Sequence, residues 1–303
     1  METHINNVVK DDFNKARKKA SLSNLINILT PEKKSLLSFS TVEKLLKPKG
    51  QRYKGLHVVS INQIVGSEGR YNDFNKAFLP KHDALRRRWE NVDKAHHTDI
   101  ILPPIKLYEV GGVYFVRDGN HRVSVAKMQG IESIDAEVIS LDSEIQIAPS
   151  MTEEELKKAV IDYEKAQFYK KYPKLKKIIN PDELNFTATG RYNEIIIHIN
   201  GHKYYLNLDK NYEISFEDAA SSWYQNLFKP IVDTISIDNI LSRFPGRTNG
   251  DLYVWIIRHW DDLKKKHGEY VSIGDAAKHY SEKYGKSLLQ QIKDYFKKLL
   301  NKN

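Results

Sequence analysis

Cysteine is absent from the 303 residues. That excludes disulfides, thiolate metal sites and cysteine nucleophiles, and it fits a cytoplasmic location. Long apolar runs are missing as well. The longest, such as "EIIIHI" at 194–199, are strand-sized, far below the roughly 20 residues a membrane helix needs. No membrane partner is expected. The opening "METHINNVVKDDFNKARKK" is polar and mixed in charge, without the apolar core of a signal peptide. No repeat of solenoid period is visible.

What remains is an ordinary soluble composition, 40% hydrophobic and 29% charged, in a chain long enough for two domains and a proper core. The net charge is +9, from 48 Lys and Arg against 39 Asp and Glu. Two readings fit that excess. One is a polyanion partner, nucleic acid or nucleotide. The other is lysine scattered over solvated helix faces, since clustered arginine supplies little of it.

Residues 1–50 read as a helical arm. Phe13, Ala16 and Ala20, then Leu25, Ile26 and Leu29, have near-helical spacing. Thr30-Pro31 reads as the start of a second helix with Leu36, Leu37, Val42, Leu45 and Leu46 on its apolar face, stopped by Pro48 and Gly50. Residues 51–145 read as an α/β domain. "LHVVSINQIV" alternates like a strand followed by a turn, a helix is expected over about 83–95, and "ILPPIKLYEVGGVYFV" predicts a hairpin turning at Gly111-Gly112. A helix to Met128, a stop at Gly130 and the strand "SIDAEVI" follow. Residues 146–303 read as a third region: a connector helix capped by Thr152 with Glu155, a β-hairpin over "EIIIHINGHKYYLNL" with Asn200-Gly201 at its turn, then helices capped by Ser215, Thr248 and Ser272.

One stretch speaks chemistry. Asp118-Gly119-Asn120-His121-Arg122 stands where a strand gives way to a helix. A helix start exposes unpaired N–H groups and a partial positive charge, which favours phosphate. Gly119 lets backbone approach a ligand closely, Arg122 offers a fork of donors, His121 a further donor, and Asn120 is expected to cap the helix. Asp118 would position a hydroxyl, a metal ion or its arginine neighbour. The same five residues also fit a capped helix start with a surface ion pair. Upstream, Arg70 is a candidate second phosphate contact. Arg86-Arg87-Arg88-Trp89 interleaves cations with an aromatic, as nucleic-acid surfaces do, but Leu85 and Trp89 equally make one buried helix face with solvated arginines around it. His96-His97-Asp99 is not a metal set on sequence grounds, because adjacent residues do not share a helix face.

The strand, the Gly-x-x-Arg helix start and the following strand resemble the ParB/sulfiredoxin superfamily over residues 55–140. Partition proteins carry Gly-Glu-Arg-Arg here and bind a nucleoside triphosphate; sulfiredoxins carry Gly-Cys-His-Arg and bind ATP phosphates; a free-serine kinase carries Asp-Gly-His-His-Arg. Together with "FPGRT" at 244–248, the motif resembles a bacterial family of ParB-like proteins with a helical C-terminal domain, sometimes labelled transcriptional regulators. The resemblance implies an α+β fold, a nucleoside di- or triphosphate with Mg²⁺ as ligand, and Gly119, Asn120, His121 and Arg122 as its phosphate contacts with Arg70 assisting. Asn120 replaces the sulfiredoxin cysteine, so sulfinic-acid reduction is ruled out. It also replaces the partition glutamate, so no hydrolysis that depends on that residue is carried over.

Three functions follow as expectations. The first is a nucleotide-phosphate-binding module with a regulatory or DNA-associated role. The second is a phosphotransferase acting on a small hydroxylated molecule, with Asp118 or Glu68 as general base and Asp73 a weaker candidate. The third is a structural adaptor with no ligand at the turn. In the C-terminal region, His259 on an apolar helix face reads as a core histidine. "VSIGDAAKHYSEKYGKSLLQQIKDYF" makes a poor helix-turn-helix, its second helix carrying the burying face Leu288, Leu289, Ile292 and Phe296.

Overall fold

Six strands build one mixed sheet in the order β1-β3-β5-β4-β6-β2. The computed structural model describes residues 2–29, 36–98, 100–208, 210–267 and 272–285. Two compact units result, Met1–Leu156 and Lys157–Asn303. The sheet belongs to the first.

Helix α1 (Glu2–Leu29) buries Val9, Phe13, Ala16 and Ala20, a stripe at 3–4-residue spacing. The stripe packs on helix α3 (Arg86–His97), where the Phe13 ring meets Trp89 edge-on at 5.6 Å. The expected second helix is corrected. Thr30 and Pro31 lie outside the described residues, and Leu36 and Leu37 are not helical. Leu37 opens the short strand β1 (Leu37–Ser38), which pairs parallel with β3, and helix α2 is confined to Phe39–Leu46.

The stretch expected as a strand followed by a turn has both, and a second strand begins at its end. β2 (Gln51–Ser60) is an edge strand paired antiparallel with β6 (Ser133–Leu141). A short turn over Ile61–Gln63 carries the chain to β3 (Ile64–Ser67) on the far side of the sheet. The predicted hairpin is present: β4 (Ile105–Val110) turns at Gly111-Gly112 into β5 (Val113–Asp118). Helix α4 (Asn120–Met128) follows, and then β6. Ile64, Ile105, Leu107, Val116, Val123 and Val138 fill the core beneath the sheet with Phe74 and Phe78. Trp89 is fully buried and donates from Nε1 to Ser124 Oγ at 2.9 Å, which fixes α3 against α4.

Among its described residues the second unit is helical. Helix α5 (Glu153–Lys171) carries the boundary and starts with the expected box, Thr152 N–H donating to Glu155 Oε2 at 2.8 Å and Glu155 N–H to Thr152 Oγ1 at 3.2 Å. A short α6 (Leu175–Ile178) leads to α7 (Arg191–Asn207). The expected β-hairpin is therefore wrong: "EIIIHINGHKYYLN" lies inside α7. Tyr192, Ile195 and Ile199 are its buried residues, and their 3- and 4-residue spacing outweighs the β-propensity of the isoleucines and the Asn-Gly pair. Helices α8 (Phe216–Trp223), α9 (Lys229–Ile237), α10 (Asn249–His267) and α11 (Ile273–Tyr284) complete the unit. The Ser215, Thr248 and Ser272 hydroxyls accept from the N–H of Asp218, Asp251 and Asp275, as expected of caps. His259 is buried and meets His279 ring to ring, Nε2 to Nδ1 at 2.7 Å. Trp223 and Tyr253 anchor this core, Nε1 donating to the hydroxyl at 2.9 Å. Residues 286–303, with the second half of the helix-turn-helix pattern, lie outside the described residues. The fold is thus α+β, with a mainly helical C-terminal part.

Gly201 sits mid-helix with open space where a Cβ would go. Gly201→Ala is expected to stabilise the protein by about 0.5–1 kcal/mol, read as a higher urea midpoint. A loss of stability would fit an Asn-Gly turn and contradict the helix.

Candidate functional site

Strands β3 and β5 run parallel, with Ser67 level with Val116. Their C-terminal ends therefore open on the same side of the sheet, where ligands of open α/β sheets gather. The loop after β3 carries Arg70; the turn after β5 carries the start of α4. Ser67 ties the two together, its hydroxyl donating to Val116 O at 3.2 Å and accepting from Arg70 N–H at 3.3 Å.

Gly119 occupies the N-cap of α4 with φ 107°, and among the described residues no side-chain cap bond is made there. A Cβ there would lie 2.5 Å from Ile105 Cγ2, so sterics and dihedral both select glycine. Asn120 does not cap the helix, contrary to expectation, because it is already the first helical residue. Its side chain is buried, and its Oδ1 has no partner among the described residues. The first N–H groups of α4 are left open to an acceptor.

A cleft of about 280 Å³ opens over this helix start, lined by Arg70, Arg88, Asn91, Val92 and the whole run Asp118–Arg122. Three guanidiniums face one carboxylate there. Arg122 is braced: it donates to Pro103 O, to Pro104 O at 3.1 Å and to Asp118 Oδ2 at 2.7 Å. Arg70 pairs with Asp73 at 2.8 Å. Arg88 is exposed and has no carboxylate partner among the described residues. His121 stands edge-on to Phe74, and both ring nitrogens are buried without a partner among the described residues. Burial first, then the charges of Arg70 and Arg88, lower its pKa from 6.5 to about 4, so the ring is neutral at pH 7 and offers one N–H donor.

All the expected phosphate contacts, Gly119, Asn120, His121, Arg122 and Arg70, line this cleft, and so does Asp118. Glu68 is not among its lining residues; it is exposed, and its charge acts on Tyr108, whose hydroxyl burial and then Glu68 push up. Two further lining residues, Arg88 and Asn91, are not among the phosphate contacts expected from the sequence. Leu85 and Trp89 are buried as expected, and that orientation turns Arg88 and Asn91 toward α4. The signal was available: once Trp89 is inward, positions 88, 91 and 92 share a neighbouring face. A second pocket, about 200 Å³, shares Val92 and Arg122 with the cleft and is walled by Ile100, Leu102, Pro103, Pro104, Val125 and Ile131, among others.

No family model matches the chain, and no curated protein matches it. Two similar solved structures are of a pNOB8-like ParB N-domain. One is 13% identical and covers 78% of this chain and 98% of its own; the other is 14% identical and covers 74% and 82%. Both have a TM-score of 0.21, too low for the likeness to bear on function.

The depressed His121 pKa has a pH consequence. A folded pKa below the unfolded one makes the unfolded state bind more protons, so stability is full above about 6.5 and is lost as pH falls toward about 4. The His121 ring is expected to stay unprotonated at pH 5.5 by NMR, and His121→Gln to lose less melting temperature between pH 7 and pH 5 than wild type. An ordinary titration near 6.5 would contradict the buried, cation-flanked ring.

Proposed function

We propose that the protein is a ParB-like module that binds the phosphates of a nucleoside di- or triphosphate, with Mg²⁺, at the start of α4, and serves a regulatory or DNA-associated role. The observation that carries the reading is the uncapped helix start behind Gly119, with Arg88 and Arg70 above it and a neutral His121 beside it. Backbone N–H groups, guanidinium forks and a neutral imidazole donor are complementary to phosphate oxygens. The adjoining pocket, with apolar walls and the polar groups His96 and Asp135 at its lining, favours a nucleotide over inorganic phosphate, since it would take a planar, hydrogen-bonding ring. In this reading Arg122 acts chiefly as a brace that holds the Pro103-Pro104 wall between the two pockets, and Arg88 is the freer anion contact. The net charge of +9 supports a DNA-associated role.

The phosphotransferase alternative has less support. Asp118, the carboxylate of the cleft, is held by Arg122 at 2.7 Å, and Glu68 is not among the lining residues. A general base needs a free carboxylate at the acceptor hydroxyl.

Calorimetry with ADP, ATP, CTP and GTP, each with Mg²⁺, tests the reading. At least one is expected to bind. Arg88→Ala should weaken that binding about tenfold or more, the worth of a charged hydrogen bond of about 1.5–3 kcal/mol, without changing the unliganded melting temperature. Binding of none of the four would overturn the proposal.

A further inference from the structure

On the face of α3 away from the cleft, Asp93 and His97 are four residues apart and share one helix face. Asp12 of α1 is brought opposite them by the packing of Phe13, Ala16 and Ala20 on Trp89 and Val92. The three side chains place a ligand atom each within 4.8 Å of one another. His97 Nε2 lies 3.5 Å from Asp12 Oδ2 and 3.7 Å from Asp93 Oδ2. Those separations exceed a normal hydrogen bond. They lie at or just beyond the edges, about 3.3–3.6 Å, of a tetrahedron around one cation bound at about 2.0–2.2 Å, so a small inward shift of the side chains would complete the set.

The buried carboxylate supplies the second, independent sign. The Asp93 side chain is 0% exposed. Its Oδ1 accepts from Gln129 Nε2 at 2.8 Å, but its Oδ2, the atom aimed at His97, has no hydrogen-bond partner among the described residues. A buried carboxylate oxygen without a partner is costly. The other oxygens are arranged around the same point. Asp12 Oδ1 is engaged by Lys15 at 3.1 Å, while its Oδ2 faces the cluster and takes a long contact from Gln129 Nε2 at 3.4 Å. Gln129 thus touches both carboxylates, as residues that orient metal ligands do.

We propose that Asp12, Asp93 and His97 form a binding site for a divalent transition cation, of which Zn²⁺ is the representative, with Gln129 positioning the two carboxylates. Two carboxylates and a neutral imidazole balance a charge of +2. The imidazole nitrogen selects against Mg²⁺, which prefers oxygen ligands throughout. Three protein ligands leave a fourth position for water. A bound cation would clamp α1 to α3 and, through Gln129 just past the end of α4, would be tied to that helix. Without one, Gln129 and Lys15 are the groups that hold the carboxylates.

Zn²⁺ titration of the chelator-stripped full chain, with Co²⁺ absorption as a second readout, separates the two. The expected result is one saturable equivalent of Zn²⁺, a higher melting temperature with Zn²⁺ but not with Mg²⁺, and a visible Co²⁺ band. Asp93→Asn and His97→Gln should each abolish the band, and Gln129→Ala should weaken Zn²⁺ about 10–100-fold. His96→Gln, one residue away and outside the cluster, should leave binding unchanged. His97 is partly exposed, so His97→Gln serves even if Asp93→Asn does not fold. No stoichiometric binding, or binding that survives His97→Gln or is lost with His96→Gln, would overturn the site.

Discussion

The parallel pairing of β3 with β5 is the constraint on which the candidate site depends. It sets the C-terminal ends of two strands side by side, so that the Arg70 loop and the start of α4 meet. The pairing is close. At Gly66 in β3 a Cβ would stand 2.4 Å from Leu37 O on one side and from the Phe115 ring on the other, so any larger residue would push β1, β3 and β5 apart. The β4–β5 hairpin then places Ile105 against Gly119, which leaves room there for glycine and no other residue. Packing inside the sheet thereby dictates the left-handed residue that leaves α4 uncapped.

Burial also arranges the charges. Trp89, held by Ser124, cannot turn outward without losing its hydrogen bond and its contact with Phe13. Arg88 is therefore presented to the cleft by the packing of its neighbour. His121 is neutral for the same reason: a half-buried imidazole beside two guanidiniums does not accept a proton near neutral pH. An arriving phosphate would reverse part of that penalty. On α3 one helix thus serves two places, Arg88 and Asn91 at the cleft and Asp93 and His97 against α1.

Much of the site was legible because its signals are local. A strand, a glycine and a helix start within a dozen residues need no tertiary information, and the Gly111-Gly112 turn is equally local. What escaped depends on long-range packing. The 194–208 stretch has isoleucines and an Asn-Gly pair that favour a hairpin, yet the helical core around Trp223 and Tyr253 claims Ile195 and Ile199 as one face of α7. Leu36 and Leu37 fit a helical stripe, but a two-residue strand beside β3 takes Leu37 instead. Asp12 lies 81 positions before Asp93, so no spacing rule joins them, whereas Asp93 and His97 were available as an i, i+4 pair. The single alternating run at 56–65 concealed two strands at opposite parts of the sheet, because period-2 alternation does not reveal which strand a segment will pair with.

The proposed phosphate site stands or falls with the open N–H groups of α4. Backbone amide resonances of Gly119 to Arg122, followed by ¹H–¹⁵N NMR as Mg²⁺-ADP and Mg²⁺-ATP are added, test it at the atoms concerned. Saturable shifts of these amides are expected, with those of Ala276 and Ala277 in the second unit unmoved. Nucleotide binding that leaves the Asn120, His121 and Arg122 amides in place, or no shift at millimolar nucleotide, would contradict it.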